Sequence, residues 1–308
     1  MSGFRRTRWL ASLLASLAIL ASTLVLLVVP SASAVDTSAA KVSTVQRVVK
    51  RNVQVLAHRC LHREDRRYEN SEHALRLIAA VKRRFHARLG CETDITRLRG
   101  PNGRPGTGIS VVHHDETVGG VYTTASVRAA GLTTSTAMIN VTYAQWRVLR
   151  IKGGVRPVTA IRMFRLAKRL RVPLMVELKF GISPEAQAVA AEYAGIRFYA
   201  YPQDPAGNNP CSLDALRRLG EAGFSISLKY SEGCPKPPEK LAAEHYRIVF
   251  YPHPTTALVS QGKTHGYKVG NFNGRTITNA NRTWRAGAQV IITSIPGRVV
   301  KAGYGRRR

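Results

Sequence analysis

Apolar, β-prone runs alternate with helical patterns along most of the chain, and this alternation constrains the fold more than any other feature. Residues 53–57 read as a strand and residues 71–89 as a helix. Residues 91–96 and 109–113 read as extended segments around a turn at Gly100-Pro101-Asn102-Gly103. A helix over 158–170 ends in Arg-Val-Pro, and a strand over 173–178 follows. Further strands are expected at 196–201, 224–228, 247–251, 266–270 and 289–293, with helices at 183–193, 212–222, 238–244 and 276–286. Counting the strands that a helix can follow gives eight βα units, the pattern of a parallel sheet covered by helices. Eight such units in a chain of this length favour an α/β fold of the closed (β/α)8 TIM-barrel kind over an open doubly wound sheet. No G-x-G-x-x-G follows the first strand and there is no P-loop, which also argues against a nucleotide-binding sheet. Residues 117–156 are less periodic and read as a small insertion after the second βα region.

The N-terminus carries a targeting pattern. Arg5, Arg6 and Arg8 precede an almost unbroken apolar run over 9–29, and the small residues of 30–34 follow in the A-x-A manner of a signal-peptidase site. Residues 1–34 are therefore expected to be a signal peptide and the protein to be secreted; left uncleaved, the run is long enough to act as a membrane anchor. Residues 35–50 read as a linker, 51–300 as the barrel domain and 301–308 as a basic tail.

The formal net charge is +29, and removing the leader takes away three arginines and no acids, leaving +26. Such a field attracts anionic membrane surfaces, cell-wall polymers and phosphate-bearing substrates. An arginine-rich composition that serves solubility is the plainer explanation. The basic residues are spread along the chain between apolar runs, so a dedicated nucleic-acid binder is not expected. A monomer is expected. Four cysteines in an exported chain suggest two disulfides, and the absence of a C-x-x-C pair argues against a thiolate zinc site.

In a barrel, chemistry belongs at the C-terminal ends of the strands. His58 and Arg59 end the first strand, and Glu92 and Asp94 lie two residues apart on the second, facing one side. His114 and Asp115 end the next extended segment, and Glu177 and Lys179 end the strand after it. Three carboxylates from neighbouring strands repel one another unless they share a hard divalent cation such as Mg²⁺ or Ca²⁺. Each feature has a plainer reading alone: a solvated edge for Glu92-x-Asp94, an ion pair for Glu177-x-Lys179, a structural role for a lone histidine. His62, His73 and His86 are left in that last category. His113 should face away from His114, because neighbours on an extended segment alternate.

Taken in order, AHRC, YEN, ETD, VVHHDETVGG and VELK resemble the His-Arg-Gly, Pro-Glu-Asn, Glu-x-Asp, His-Asp and Glu-x-Lys pattern of the glycerophosphodiester phosphodiesterase family. The closing AGAQVIITSIPG is similar to that family's last strand, so the resemblance runs over residues 53–297. It implies a (β/α)8 phosphodiesterase that uses a bound divalent metal, with a small-molecule or lipid-headgroup phosphodiester as substrate. On the matching positions it implies Glu92, Asp94 and Glu177 as metal ligands, His58 and His114 as the acid–base pair, and Arg59 and Lys179 as holders of the phosphate. Glycerophosphodiesters are the default substrate; lysophospholipids and sphingomyelin, as for venom-type phospholipase D, or teichoic-acid-like polymers are alternatives. A catalytically silent polyanion-binding barrel is the rival from another class. Two positions depart from the pattern: Cys60 stands where the family has glycine, and Tyr68 where it has proline. A disulfide from Cys60 to Cys91 would account for the first, leaving Cys211 to pair with Cys234. The aromatics Tyr122, Trp146, Tyr230, Phe250 and Tyr251 are candidates for a substrate pocket, although packing is the plainer role for each.

Overall fold

The computed structural model describes residues 53–61, 66–200, 214–230, 238–272 and 274–306. The expected leader and linker, His62, Cys211 and Cys234 lie outside the described residues. Strands β1 (Gln54–Ala57), β2 (Leu89–Arg97), β3 (Ser110–Val112), β4 (Leu174–Leu178), β5 (Ile196–Ala200), β6 (Ile226–Lys229), β7 (Ile248–Tyr251), β8 (Lys268–Asn271) and β9 (Val290–Thr293) form one nine-stranded sheet. All neighbours pair in parallel except β2 with β3, and β1 pairs with both β2 and β9, which closes the ring. The expected (β/α)8 TIM barrel is the observed architecture, with β3 as an antiparallel appendage of β2.

The interior and exterior of the barrel are separate apolar clusters. Leu56, Met175, Tyr199, Ile248, Phe250, Val290 and Ile292 fill the inside. Alternate residues of the same strands, such as Val55, Val176, Phe198 and Val249, pack outward against the helices. A side chain as fully buried as Phe250 or Phe198 contributes about 1.5–3 kcal/mol relative to exposure. Helix α1 (Glu72–Arg84) is capped by Ser71, whose hydroxyl accepts from the Ala74 N–H at 3.1 Å.

The insertion falls inside the second βα unit, between β3 and that unit's own helix, rather than after the unit. It comprises α2 (Thr124–Ala129), a single 3₁₀ turn (Met138–Asn140) and α3 (Tyr143–Val148), and is followed by α4 (Ala160–Leu170). It has a core of its own in which Val118, Tyr122, Val127, Met138, Trp146 and Leu149 pack on Leu98 and Val111 of the β2–β3 hairpin.

The remaining helices are α5 (Pro184–Ala191), α6 (Asp214–Glu221), α7 (Pro238–Ala243), α8 (Thr256–Thr264), α9 (Ile277–Arg285) and α10 (Pro296–Lys301). Two expectations need correction, and one helix was not foreseen. The helix read over 71–89 stops at Arg84, because His86 takes a left-handed conformation (φ 46°) and Leu89 already belongs to β2. Helix α8 carries no periodic signal: its sequence, TALVSQGKT, is small and polar, and of its residues Val259 and Gly262 are the buried ones. Residues 301–306 are not a free tail. Tyr304 is fully buried, Arg88 N–H donates to Gly305 O at 2.6 Å, and Arg306 bridges to Ala87.

Candidate active site

The three predicted carboxylates meet at the C-terminal end of the barrel. Asp94 and Glu177 are direct partners in the β2–β4 register, and Glu92 sits one inward-facing position earlier. Glu92, Asp94 and Glu177 each offer an oxygen, all within 4.8 Å of one another, and all three residues are buried. Burial raises the Glu92 pKa well above its ordinary value, and the charges of Asp94 and Glu177 push the same way. Asp94 goes the other way. Burial works to raise it, but Lys179, His114 and the hydrogen bond from Asn70 together bring it down to about 2.

The neighbours of these acids are arranged around an oxygen-rich centre. The Tyr199 hydroxyl lies 2.8 Å from Glu92 Oε1 and 2.6 Å from Glu177 Oε2, yet it has one proton to donate. Asn70 Nδ2 donates to Asp94 Oδ2 at 2.9 Å, and Thr93 donates to Asn70 Oδ1 at 2.7 Å. Asp94 Oδ1, wholly buried, accepts no hydrogen bond and faces Lys179 Nζ at 3.6 Å. Lys179 also contacts Glu177 directly. An acceptor without a donor and a hydroxyl shared by two carboxylates leave spare acceptor capacity around one point. An oxygen-ligated divalent cation fits this donor set.

The two predicted histidines flank the centre from different strands. His58, just past β1, has its Nε2 3.9 Å from Glu92 Oε2 and its Nδ1 3.3 Å from Ser294 Oγ. His114 Nδ1 lies 2.8 Å from Asp115 Oδ1, while its Nε2 lies 2.9 Å from Arg59 Nη2. An arginine can only donate, so His114 Nε2 accepts and its proton sits on Nδ1, pointing at Asp115. Arg59 also pairs with Glu69 at 3.2 Å, and its backbone N–H donates to Glu92 Oε2 at 2.8 Å. His113 faces away as expected. It is buried, stacks on Tyr122 with ring centroids 5.3 Å apart and hydrogen-bonds Thr117 O at 3.0 Å, and burial pushes its pKa down.

Both departures from the family pattern have a structural account. Cys60 and Cys91 form a disulfide with Cα atoms 4.8 Å apart. Cys60 adopts the glycine-like conformation (φ 62°) after Arg59 (φ 47°), held by its N–H to Ala57 O and Glu92 O, each at 3.0 Å. The cross-link and these bonds enforce a turn that cysteine alone would resist. Tyr68 packs against His73 and against Gly153 of the insertion, where an added Cβ would lie 2.4 Å from the Tyr68 ring. The tyrosine therefore joins the active-site loop to the insertion.

A pocket of about 120 Å³ opens over this floor. His58, His114, Glu177, Lys179 and Tyr199 form one side, and Lys229, Phe272 and Ile292 complete it. Sequence reading missed Glu69, Asn70, Tyr199, Lys229 and Phe272 as site residues. Of the aromatics considered for the pocket, Tyr122, Trp146, Phe250 and Tyr251 are buried in packing, and Tyr230 packs against Tyr251 with the rings tilted at 33°. Among the described residues no helix is long and apolar enough to cross a membrane.

No protein-family model matches the chain, and neither does any curated protein. Solved structures do. A glycerophosphodiester phosphodiesterase from Parabacteroides distasonis superposes with a TM-score of 0.59 at 18% identity, covering 82% of this chain and 96% of its own. A phosphodiesterase from Oleispira antarctica, in complex with the product sn-glycerol 3-phosphate, matches with TM-score 0.59 and 18% identity over 81% of this chain and 96% of its own. The glycerophosphodiester phosphodiesterase from Thermotoga maritima gives 0.58 and 16%, covering 81% and 97%. At these identities the likeness establishes a shared fold.

Proposed function

We propose that this chain is a metal-dependent phosphoric diester hydrolase that cleaves glycerophosphodiesters to glycerol 3-phosphate and an alcohol. The observation that carries the reading is the buried triad Glu92, Asp94 and Glu177 on the floor of a pocket flanked by two histidines from different strands. The shared fold with glycerophosphodiester phosphodiesterases supports the substrate class. The leader expected at residues 1–34 supports action outside the cytoplasm on a small-molecule or headgroup diester.

Glu92, Asp94 and Glu177 would hold the divalent cation, Mg²⁺ or Ca²⁺, which when bound would supply charge stabilisation for the phosphoryl oxygens. The chain's own residues do the rest. Lys179, and Arg59 beside His114, place positive charge where the phosphate must lie. His114, with its Nδ1–H anchored on Asp115, is the proton acceptor for the attacking oxygen, whether water or the substrate's own glycerol hydroxyl, once the phosphate draws the Arg59 guanidinium away from its Nε2. As the bond from phosphorus to the alcohol oxygen breaks, His58 protonates that oxygen. His58 reaches the site with its Nε2 3.9 Å from Glu92 Oε2, on the side of the ring away from Ser294.

The test is hydrolysis of a panel of glycerophosphodiesters by the full chain, with a divalent cation supplied or chelated, beside His58→Ala and His114→Ala. Cation-dependent glycerol 3-phosphate release, lost in both variants, is the expected result. A chain inert toward the whole panel and toward lysophospholipids would overturn the reading in favour of a binding role.

A further inference from the structure

The β6 and β8 side of the pocket carries a second message, about which diesters fit. Round the ring of strands, β6 stands across from β1 and β8 across from β4. Lys229 ends β6 and Phe272 follows β8, and both line the pocket. Lys229 Nζ lies 4.5 Å from the centroid of the Phe272 ring, a cation–π contact. A diester whose phosphate is drawn to His58, His114 and Lys179 must extend at least one arm toward this pair.

An aromatic face is the usual receptor for a quaternary ammonium such as choline. Here that face is already covered by the protein's own ammonium. A choline arm would lose the ring and meet a like charge. A hydroxyl-bearing arm can instead accept a hydrogen bond from Lys229, and an arm with its own negative charge gains an ion pair.

Resting on the phosphodiesterase reading, we propose that Lys229, seated on Phe272, makes this a site for glycerophosphodiesters with a polyol or anionic alcohol arm and disfavours cationic headgroups. A unit charge about 6 Å from Lys229, at an effective dielectric of about 20, changes a rate constant about a hundredfold, so a spread of at least about tenfold is expected after screening.

The experiment measures kcat/KM of the full chain with divalent cation on three substrates: glycerophosphocholine, glycerophosphoglycerol, and the latter bearing a terminal phosphate. The expected order is phosphate-bearing first, glycerol next, choline last, and it is read on the wild type without any variant. Lys229→Met should bring the three within about threefold, chiefly by a gain for choline on the uncovered ring, and Lys229→Glu should reverse the order. Equal or better cleavage of the choline diester by wild type would overturn the inference while leaving the phosphodiesterase reading intact. So would a Lys229→Met variant that weakens all three equally, since Lys229 would then serve the phosphate alone. If no diester is cleaved, the phosphodiesterase reading falls. Calorimetric affinities of the same three compounds for wild type and Lys229→Met then decide the charge order independently, and a flat order overturns it.

Discussion

Replacing Glu92 with glutamine should make the cation-free protein more stable while removing its response to divalent metal. Glu92 is fully buried with Asp94 and Glu177, and their oxygens lie within 4.8 Å of one another. At an effective dielectric of about 20, each like-charged pair at that separation costs about 3.5 kcal/mol. Lys179 offsets part of this through Asp94 and Glu177, and partial protonation of Glu92 offsets more, so a net gain of about 1–3 kcal/mol is expected from Glu92→Gln. The hydrogen bonds survive. The glutamine oxygen can accept from Arg59 N–H, and its amide can donate to the Tyr199 oxygen, whose proton then serves Glu177. The assay is thermal unfolding of wild type and variant in chelator and in excess Mg²⁺ or Ca²⁺. In chelator the variant should melt about 2–4 °C higher for each kcal/mol gained. Added cation should raise the wild type and leave the variant nearly unmoved.

The pH dependence has a definite sign. Folded Glu92 binds its proton more tightly than in the unfolded chain, so without cation its contribution is present below the ordinary value of 4.5 and lost as the pH rises through the raised folded value. The variant should lack this decline. A glutamine variant that melts below wild type in chelator, with the slope unchanged, would refute the argument from charge repulsion.

Other outcomes follow from single contacts. Cys60→Ser with Cys91→Ser opens a cross-link spanning 31 residues and should cost about 3–4 kcal/mol in a denaturant titration, with activity falling further as the Arg59–Cys60 turn relaxes. His58→Ala and His114→Ala should each lower kcat about 10²–10⁴-fold while keeping the melting shift induced by cation, because neither belongs to the carboxylate triad. Gly90→Ala should destabilise by about 1–3 kcal/mol in the same titration, since its Cβ would lie 2.7 Å from Pro173 O and 2.9 Å from Leu56.

Much of this was legible in the sequence because barrel strands are short, apolar and regularly spaced, and because the chemistry sits at their ends. Glu92, Asp94 and Glu177 could be placed together from a two-residue spacing on one strand and the adjacency of the next. His113 and His114 could be separated by strand alternation alone. Tyr199 was not legible: an inward tyrosine on RFYA looks like core until the register sets it beside two carboxylates. Lys229 and Phe272 come from β6 and from just past β8, and nothing local in ISLK or GNF signals that they meet. Glu69 and Asn70 were visible in YEN, but their roles depend on the fold bringing the turn before α1 back to Arg59 and Asp94. Helix α8 escaped because a helix of small polar residues leaves no periodic trace. The C-terminal residues read as a tail because the burial of one tyrosine, Tyr304, is not announced by the glycines and arginines around it.

The central claim is that the carboxylate floor and the two histidines together cleave a phosphodiester. Phosphorus NMR of glycerophosphoglycerol incubated with the full chain tests it most directly, with divalent cation or chelator and with Glu92→Ala alongside. The account predicts a phosphomonoester resonance that grows only with cation and is absent in the variant. A diester resonance that persists under every condition, or a monoester that forms as fast in chelator or in Glu92→Ala, would contradict it.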